Sequence, residues 1–256
     1  MSILGSPNND MLKMFAPRPG RRALLPELTP EAEVALMCRM LFKEGWNEHI
    51  AGHITCRLPD GNVLSNPWEL AWDEVCASDI LTLDAQGTVI KGDWNITPAI
   101  GLHMQLHELR PEVNVVIHNH AHWSGIWANM HRVPPVYDQA SAYVDGPLPL
   151  YNEYEGTFED ENTSLAAAKA LGDAKWALLA NHGSLVVGKD LRQAHLRAIT
   201  LEWRSKRAYE AEVAGGGVPL AEDQIPGVAL PDANGFPFLW EAMARRELRE
   251  DPTVLD

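Results

Sequence analysis

The spacing of apolar residues along the chain predicts helices alternating with short strands. From Thr29-Pro30, a usual helix start, apolar positions recur at helical spacing until Gly45, which predicts a first helix. Between His53 and Ile90 the apolar stretches become short and are separated by turns such as Pro-Asp-Gly-Asn. This rhythm predicts a meander of antiparallel strands.

The second half of the chain continues this alternation with longer helices. Helices are predicted over residues 97–110, 121–130, 162–171 and 191–214, and strands over 113–118, 175–180 and 184–188. No linker divides the middle of the chain, so residues 29–256 are predicted to form one domain. Residues 1–28 mix Gly, Pro and Asn without periodicity, which predicts an N-terminal arm.

Charge and cysteine content restrict the class of partner. The 256 residues carry 35 acidic and 21 basic side chains, a net charge of -14, which argues against nucleic acid or an anionic membrane as partner. The three cysteines form no Cys-x-x-Cys pair, and no apolar run resembles a transmembrane helix or a signal peptide. We therefore expect a cytoplasmic protein that acts on a small molecule.

Histidines end two of the predicted strands. In VNVVIHNHAHWSG the alternation of a strand would place His118 and His120 on the same side, and His182 lies in the turn of WALLANHGSLVVG. Three neutral imidazoles around one cation leave a position open for water or substrate, as in catalytic zinc sites. Polar residues at ordinary strand ends would give the same spacing, so both interpretations stay open on the spacing alone.

Three segments carry a resemblance to a known family. AGHITCRLPDGNVLSNP, RPEVNVVIHNHAHWSG and LLANHGSLVVG occur in the order typical of the class II aldolase/adducin family, and the resemblance spans residues 29–214. It implies a single-domain α/β fold with three α/β/α layers around a largely antiparallel sheet, in a homotetramer. It also implies that His118, His120 and His182 bind a divalent metal, expected to be Zn²⁺, with Mn²⁺, Co²⁺ or Fe²⁺ as alternatives.

One departure from the family pattern changes the expected reaction. In the family's sugar-phosphate aldolases, which this chain resembles, the helix before the strand that carries His118 begins with a Ser-Ser-Glu motif. The corresponding residues of this chain are Thr97, Pro98 and Ala99. Alanine cannot transfer a proton, and proline offers neither a hydroxyl nor an N–H to a phosphate. We therefore predict a metal-dependent carbon–carbon lyase that decarboxylates a hydroxyaromatic or an oxo or hydroxy acid. The alternatives are an aldolase acting on a non-phosphorylated hydroxy ketone or sugar acid, an iron oxygenase, and a non-catalytic adducin-like scaffold.

Further site residues are predicted from the same comparison of motifs. The resemblance implies that His53, Asn66 and Thr97 bind substrate. His53 and Asn66 occupy a matched segment, and Thr97 corresponds to the first residue of the family's Ser-Ser-Glu motif, whose serines hold phosphate. Tyr154 and Glu155 lie in a Gly- and Pro-bearing stretch where the family has a loop near the metal, so one of them is the predicted proton donor.

Other polar residues are given lesser roles. His103 and His107 are four apart on a predicted helix, and we expect His103 to pack beneath the metal site and His107 to face solvent. His122 is expected at the entrance or in solvent. Arg57 and Arg204 are candidates for binding a substrate carboxylate.

Overall fold

Eight strands form one sheet within residues 17–153, 160–229, 232 and 235–256, the part of the chain that the computed structural model describes. They are β1 (His53–Arg57), β2 (Val63–Ser65), β3 (Leu81–Leu83), β4 (Val89–Lys91), β5 (Val115–Asn119), β6 (Leu150–Tyr151), β7 (Trp176–Leu179) and β8 (Gly183–Gly188). Their order is β4-β3-β2-β1-β5-β8-β7-β6, with only β6 and β7 parallel. The predicted meander over residues 53–90 is confirmed.

The predicted helices are also present, with ends shifted by a few residues. They are α1 (Pro30–Lys43), α2 (Ile100–Leu109), α3 (His122–Asn129), α4 (Glu161–Leu171) and α5 (Leu191–Val213). Two further helices, α6 (Ile225–Val228) and α7 (Pro237–Glu250), were not predicted. Short 3-10 helices span Ala77–Asp79, Ala140–Ala142 and Pro252–Leu255. The Thr29 hydroxyl accepts a hydrogen bond from the Ala32 N–H, the usual cap at a helix start. Within the described ranges, no helix is both long and apolar enough to cross a bilayer.

Helices cover both faces of the sheet. On one face α2 and α4 bury Leu102, Leu106 and Leu171 against sheet residues such as Val116 and Leu185. On the other face α1, α3, α5 and α7 bury a larger core that includes Leu36, Trp127, Leu196, Trp240, Ile117 and Val186. The three-layer α/β/α fold with a largely antiparallel sheet is therefore confirmed.

The central position of β5 explains its apolar sequence. Val115, Val116 and Ile117 are fully buried because helices cover the strand on both faces. β5 pairs with β1 on one side and with β8 on the other. The register places His53 of β1 directly opposite His118 of β5, so histidines from two neighbouring strands lie at the same end of the sheet.

The described part of the predicted N-terminal arm lies against the last long helix. Residues 17–28 contain no helix or strand. The Arg21 guanidinium donates to both carboxylate oxygens of Glu241 in α7, at 2.6 and 2.8 Å. Leu25 and Leu28 pack against the larger core. Contacts with this chain's own core therefore hold the segment in place.

Candidate metal centre

His118, His120 and His182, hereafter the histidine cluster, converge at one end of the sheet. His118 is in β5, His120 follows it in the next loop, and His182 is in the turn between β7 and β8. One nitrogen from each ring lies within 4.8 Å of the others, and the ring centroids are 4.9 to 5.3 Å apart. The side chains that the sequence predicted as metal ligands are thus brought together.

Two rings of the cluster are held at their Nδ1 atoms. His118 Nδ1 lies 3.0 Å from the Ser184 carbonyl, and because a carbonyl only accepts, His118 must donate from Nδ1. His120 Nδ1 lies 2.5 Å from a carboxylate oxygen of Glu48. Such partners fix the tautomer of a metal-binding histidine and leave its Nε2 for the ion.

The electrostatic environment keeps His118 and His182 in their ligand form. Burial, followed by the neighbouring imidazoles, lowers the pKa of His118 well below its usual value. Burial and His120 lower the pKa of His182 to about 4. A neutral imidazole has the lone pair that a cation needs, so these residues fit a divalent metal with three protein ligands and an open position.

The turn that carries His182 depends on the two residues that flank it. Asn181 adopts a left-handed backbone conformation, with a φ of 55°. Asparagine tolerates this region better than most residues. Gly183 is required for space, since a Cβ there would lie 2.6 Å from the Asn119 carbonyl oxygen and 2.9 Å from His120 Cδ2. The glycine therefore sets how closely the two histidine-bearing segments approach.

His53 joins the cluster from the neighbouring strand. It is buried, and its ring centroid lies 4.9 Å from that of His118. Asn66 fixes the backbone on both sides of it, accepting from the Ile54 N–H at 2.7 Å and donating to the Gly52 carbonyl at 3.3 Å. The Asn66 side chain is thus engaged in positioning β1. Substrate binding by His53 and Asn66 stays a prediction.

The two histidines of α2 are both buried. His103 packs beneath His53, with ring centroids 4.6 Å apart, as expected. His107 was expected in solvent, but only 4% of it is exposed and it bonds the Thr55 hydroxyl at 2.8 Å. The expectation failed because helix spacing places His107 on the same face as His103, and that face packs on β1.

The start of α2 contains the departure from the aldolase motif. Thr97 is buried and accepts the Ala99 N–H through its hydroxyl, and Ala99 precedes the first helical residue. The Thr97 hydroxyl is therefore already engaged in a local turn, and its role toward substrate stays a prediction. The predicted proton donors Tyr154 and Glu155 lie outside the described residues.

The two arginine candidates are engaged in structural contacts. Arg57 donates to the carbonyls of His107, Pro111 and Val113 at 2.5 to 2.8 Å. Arg204 donates to the Pro134 carbonyl at 2.8 Å, and burial lowers its pKa to about 10. Both arginines therefore donate hydrogen bonds to backbone carbonyls. These contacts give no support for binding of a substrate carboxylate.

Two glutamates near the cluster were missed by sequence reasoning. Glu48 contacts His120, and Glu202 of α5 accepts the N–H groups of Trp123 and Ser124 at 3.0 and 2.7 Å. Glu202 thereby caps α3 directly after the His120 loop, and burial raises its pKa. Neither glutamate belongs to a recognisable motif, because both reach the site through tertiary packing.

Comparison with known proteins agrees with this geometry. The sequence profile described as "Class II Aldolase and Adducin N-terminal domain" matches residues 32–209. The 3,4-dihydroxyphthalate decarboxylase of Arthrobacter keyseri is 29% identical over 234 residues, covering 84% of this chain and 91% of the relative. The 5-deoxy-D-ribulose 1-phosphate aldolase of Bacillus thuringiensis is 24% identical over 198 residues, covering 77% and 92%.

A solved structure supports the fold independently. The aldolase II superfamily protein from Pseudomonas syringae superposes with a TM-score of 0.78, at 24% identity, over 90% of this chain and 98% of that protein. At this level of identity the similarity establishes the fold alone. The described architecture is therefore a known one.

Proposed function

The chain belongs to the class II aldolase and adducin N-terminal domain family, and from this premise we propose that it is a metal-dependent decarboxylase of a hydroxylated or oxo carboxylic acid. The proposal rests on the presence of Ala99 at the start of α2. The family's sugar-phosphate aldolases have a catalytic Glu at the corresponding position. A methyl group there cannot take the proton of a substrate alcohol.

Decarboxylation suits a site without that carboxylate. As carbon dioxide leaves, the electron pair of the broken carbon–carbon bond stays on the substrate carbon, which then takes one proton to form a C–H bond. A divalent ion held by the histidine cluster would act as a Lewis acid for this charge, and three neutral imidazoles favour zinc. No base is needed before the bond breaks; a proton donor is needed afterwards.

Residues of the chain are assigned to the remaining steps. We propose that His53 contacts the bound acid and that Tyr154 or Glu155 delivers the proton. The similarity to a 3,4-dihydroxyphthalate decarboxylase supports a hydroxylated acid as substrate. We further propose a cytoplasmic homotetramer whose partner is this small molecule, as the family resemblance implies.

A panel of candidate acids tests the reaction. Zinc-loaded protein would be incubated with hydroxyaromatic acids and 3-oxo acids, and released carbon dioxide would be measured. His118→Ala serves as the control because it removes a predicted metal ligand. We expect release with at least one acid in the unmodified protein and none in the variant. Absence of release across both classes of acid would contradict the proposal.

An aldolase acting on a non-phosphorylated hydroxy ketone or sugar acid is the second candidate. It is favoured by the similarity to an aldolase, and the histidine cluster would serve this reaction as well as decarboxylation. Exposed Pro98 offers no N–H to a phosphate, which argues against phosphorylated substrates. Short hydroxy ketones in the same panel separate the two reactions. Metal analysis after purification without chelator separates both from the iron oxygenase and from a metal-free scaffold.

A further inference from the structure

Four buried polar side chains form a continuous row from the interior to the histidine cluster. His107 Nε2 lies 2.8 Å from the Thr55 hydroxyl, and that hydroxyl lies 2.9 Å from His103 Nδ1. His103 Nε2 lies 2.8 Å from His53 Nδ1. At most 4% of any member is exposed, so water does not compete for these bonds.

The far end of the row fixes the direction of every hydrogen bond. His107 Nδ1 lies 3.3 Å from the Val113 carbonyl, which can only accept, so His107 carries its proton on Nδ1. Its Nε2 is then an acceptor, and the single Thr55 hydroxyl proton is donated to it. Thr55 must in turn accept from His103 Nδ1.

The same reasoning continues to His53. With its proton on Nδ1, neutral His103 accepts at Nε2, so His53 donates from Nδ1. All three rings are buried, with at most 4% of each exposed, and burial disfavours the charged imidazolium, so each ring is neutral and carries one proton. A neutral His53 that donates from Nδ1 has an unprotonated Nε2.

The unprotonated nitrogen belongs to the ring that contacts the candidate metal site. His53 is paired with His118 across the sheet, and charge on His120 or His182 would act on it directly. Within the described part of the chain, no hydrogen bond is formed at His53 Nε2. The ordinary explanation of buried histidines as mutually satisfied core residues covers His103 and His107, but it leaves this acceptor unused.

We infer that the row Val113–His107–Thr55–His103 holds His53 Nε2 as a hydrogen-bond acceptor for the substrate, and that the substrate bears a hydroxyl next to its metal-binding groups. The substrate part of this inference rests on the proposed function. An acceptor that bound substrate removes from water is costly when it is left unpaired, so a site built in this way discriminates against analogues that lack the donor. His107, Thr55 and His103 are positioning residues, and His53 is the group that contacts substrate.

The tautomer of His53 can be observed without any reaction. Protein with isotope-labelled histidine, with and without zinc, would be studied by nitrogen NMR, and the His53 signals would be assigned by their loss in His53→Gln. We expect a protonated Nδ1 and an unprotonated Nε2. A protonated Nε2 in the native protein would overturn the inference, whatever the variants do.

Thr55 provides a matched pair of variants. Thr55→Ser keeps the hydroxyl that links His107 to His103, whereas Thr55→Val removes it with little change in shape. We expect native His53 signals in the Ser variant and a mixture of both tautomers in the Val variant, with circular dichroism verifying the fold. Native signals in a folded Val variant would show that the row does not set the tautomer.

Ligand probes test the predicted hydroxyl. Catechol and pyrogallol present the same chelating oxygens to zinc, and pyrogallol adds one adjacent hydroxyl. We expect the zinc-loaded protein and Thr55→Ser to prefer pyrogallol by about 3-fold to 10-fold, the effect of one hydrogen bond, and Thr55→Val to lose much of this preference. Equal preferences in all three proteins would refute the substrate part. If only the decarboxylase proposal is wrong, no carbon dioxide will be released, but His53 will still show a protonated Nδ1 and an unprotonated Nε2.

Discussion

Replacing Gly183 by Ala should separate His182 from the rest of the histidine cluster. The new Cβ would lie 2.6 Å from the Asn119 carbonyl oxygen and 2.9 Å from His120 Cδ2. Relief of this overlap requires β8 or the His120 loop to retreat by roughly half an ångström, because carbon and oxygen atoms do not approach below about 3 Å. Metal–nitrogen bonds of about 2.0–2.1 Å tolerate deviations of only about 0.2 Å.

We therefore expect Gly183→Ala to weaken zinc binding by at least about tenfold, comparable to the loss of a residue that orients a ligand. The overpacking should also lower the free energy of unfolding by about 1–3 kcal/mol. Zinc affinity would be measured by competition with a chelator, and stability by urea denaturation.

Gly125→Ala is the control for this experiment. Gly125 is in α3 near the site, but a Cβ there meets nothing within 4 Å. The control should bind zinc normally and should be at least as stable as the native protein, since alanine favours helix. If Gly183→Ala binds zinc as tightly as the control does, the steric reasoning about the turn is wrong.

Four further predictions concern the same site. Alanine at any position of the histidine cluster should strip the metal with an unchanged circular dichroism spectrum; full metal content in all three variants would refute the assignment. Glu48→Ala should weaken zinc binding by about 10–100-fold, with Glu48→Gln between it and the native protein, and equal affinities would contradict the orienting role. Folding lowers the pKa of His107 from 6.5 to about 4, so the unfolded chain binds a proton more readily than the folded protein between these pH values. The free energy of unfolding should therefore decrease as the pH falls from 6.5 to 4. His107→Gln should reduce this decrease by about 3 kcal/mol, measured by urea denaturation at each pH. The same dependence of stability on pH in the variant and the native protein would contradict this prediction. Ala99→Glu should not speed carbon dioxide release, because two carboxylates ~4 Å apart repel by on the order of 4 kcal/mol before screening; faster release would contradict the mechanism.

The sequence determined most of the elements and the identity of the candidate metal ligands. Apolar periodicity depends on neighbours within a few positions, so it predicted α1, the β1 to β4 meander and the buried strand β5. The strand ends at His118 and the turn at His182 could likewise be recognised, because the motifs around them are contiguous in the chain. The three-layer arrangement followed from the family resemblance.

The tertiary structure decided how the surroundings of the cluster are arranged. His53 faces His118 only because of the register between β1 and β5, and Glu48 reaches His120 from a loop 72 positions earlier in the chain. His107 was wrongly expected in solvent, since it lies four residues from His103 on the helix face that packs on β1. Register and helix packing are set by the whole core together, so hydrogen bonds such as that between Thr55 and His107 have no signature in local sequence.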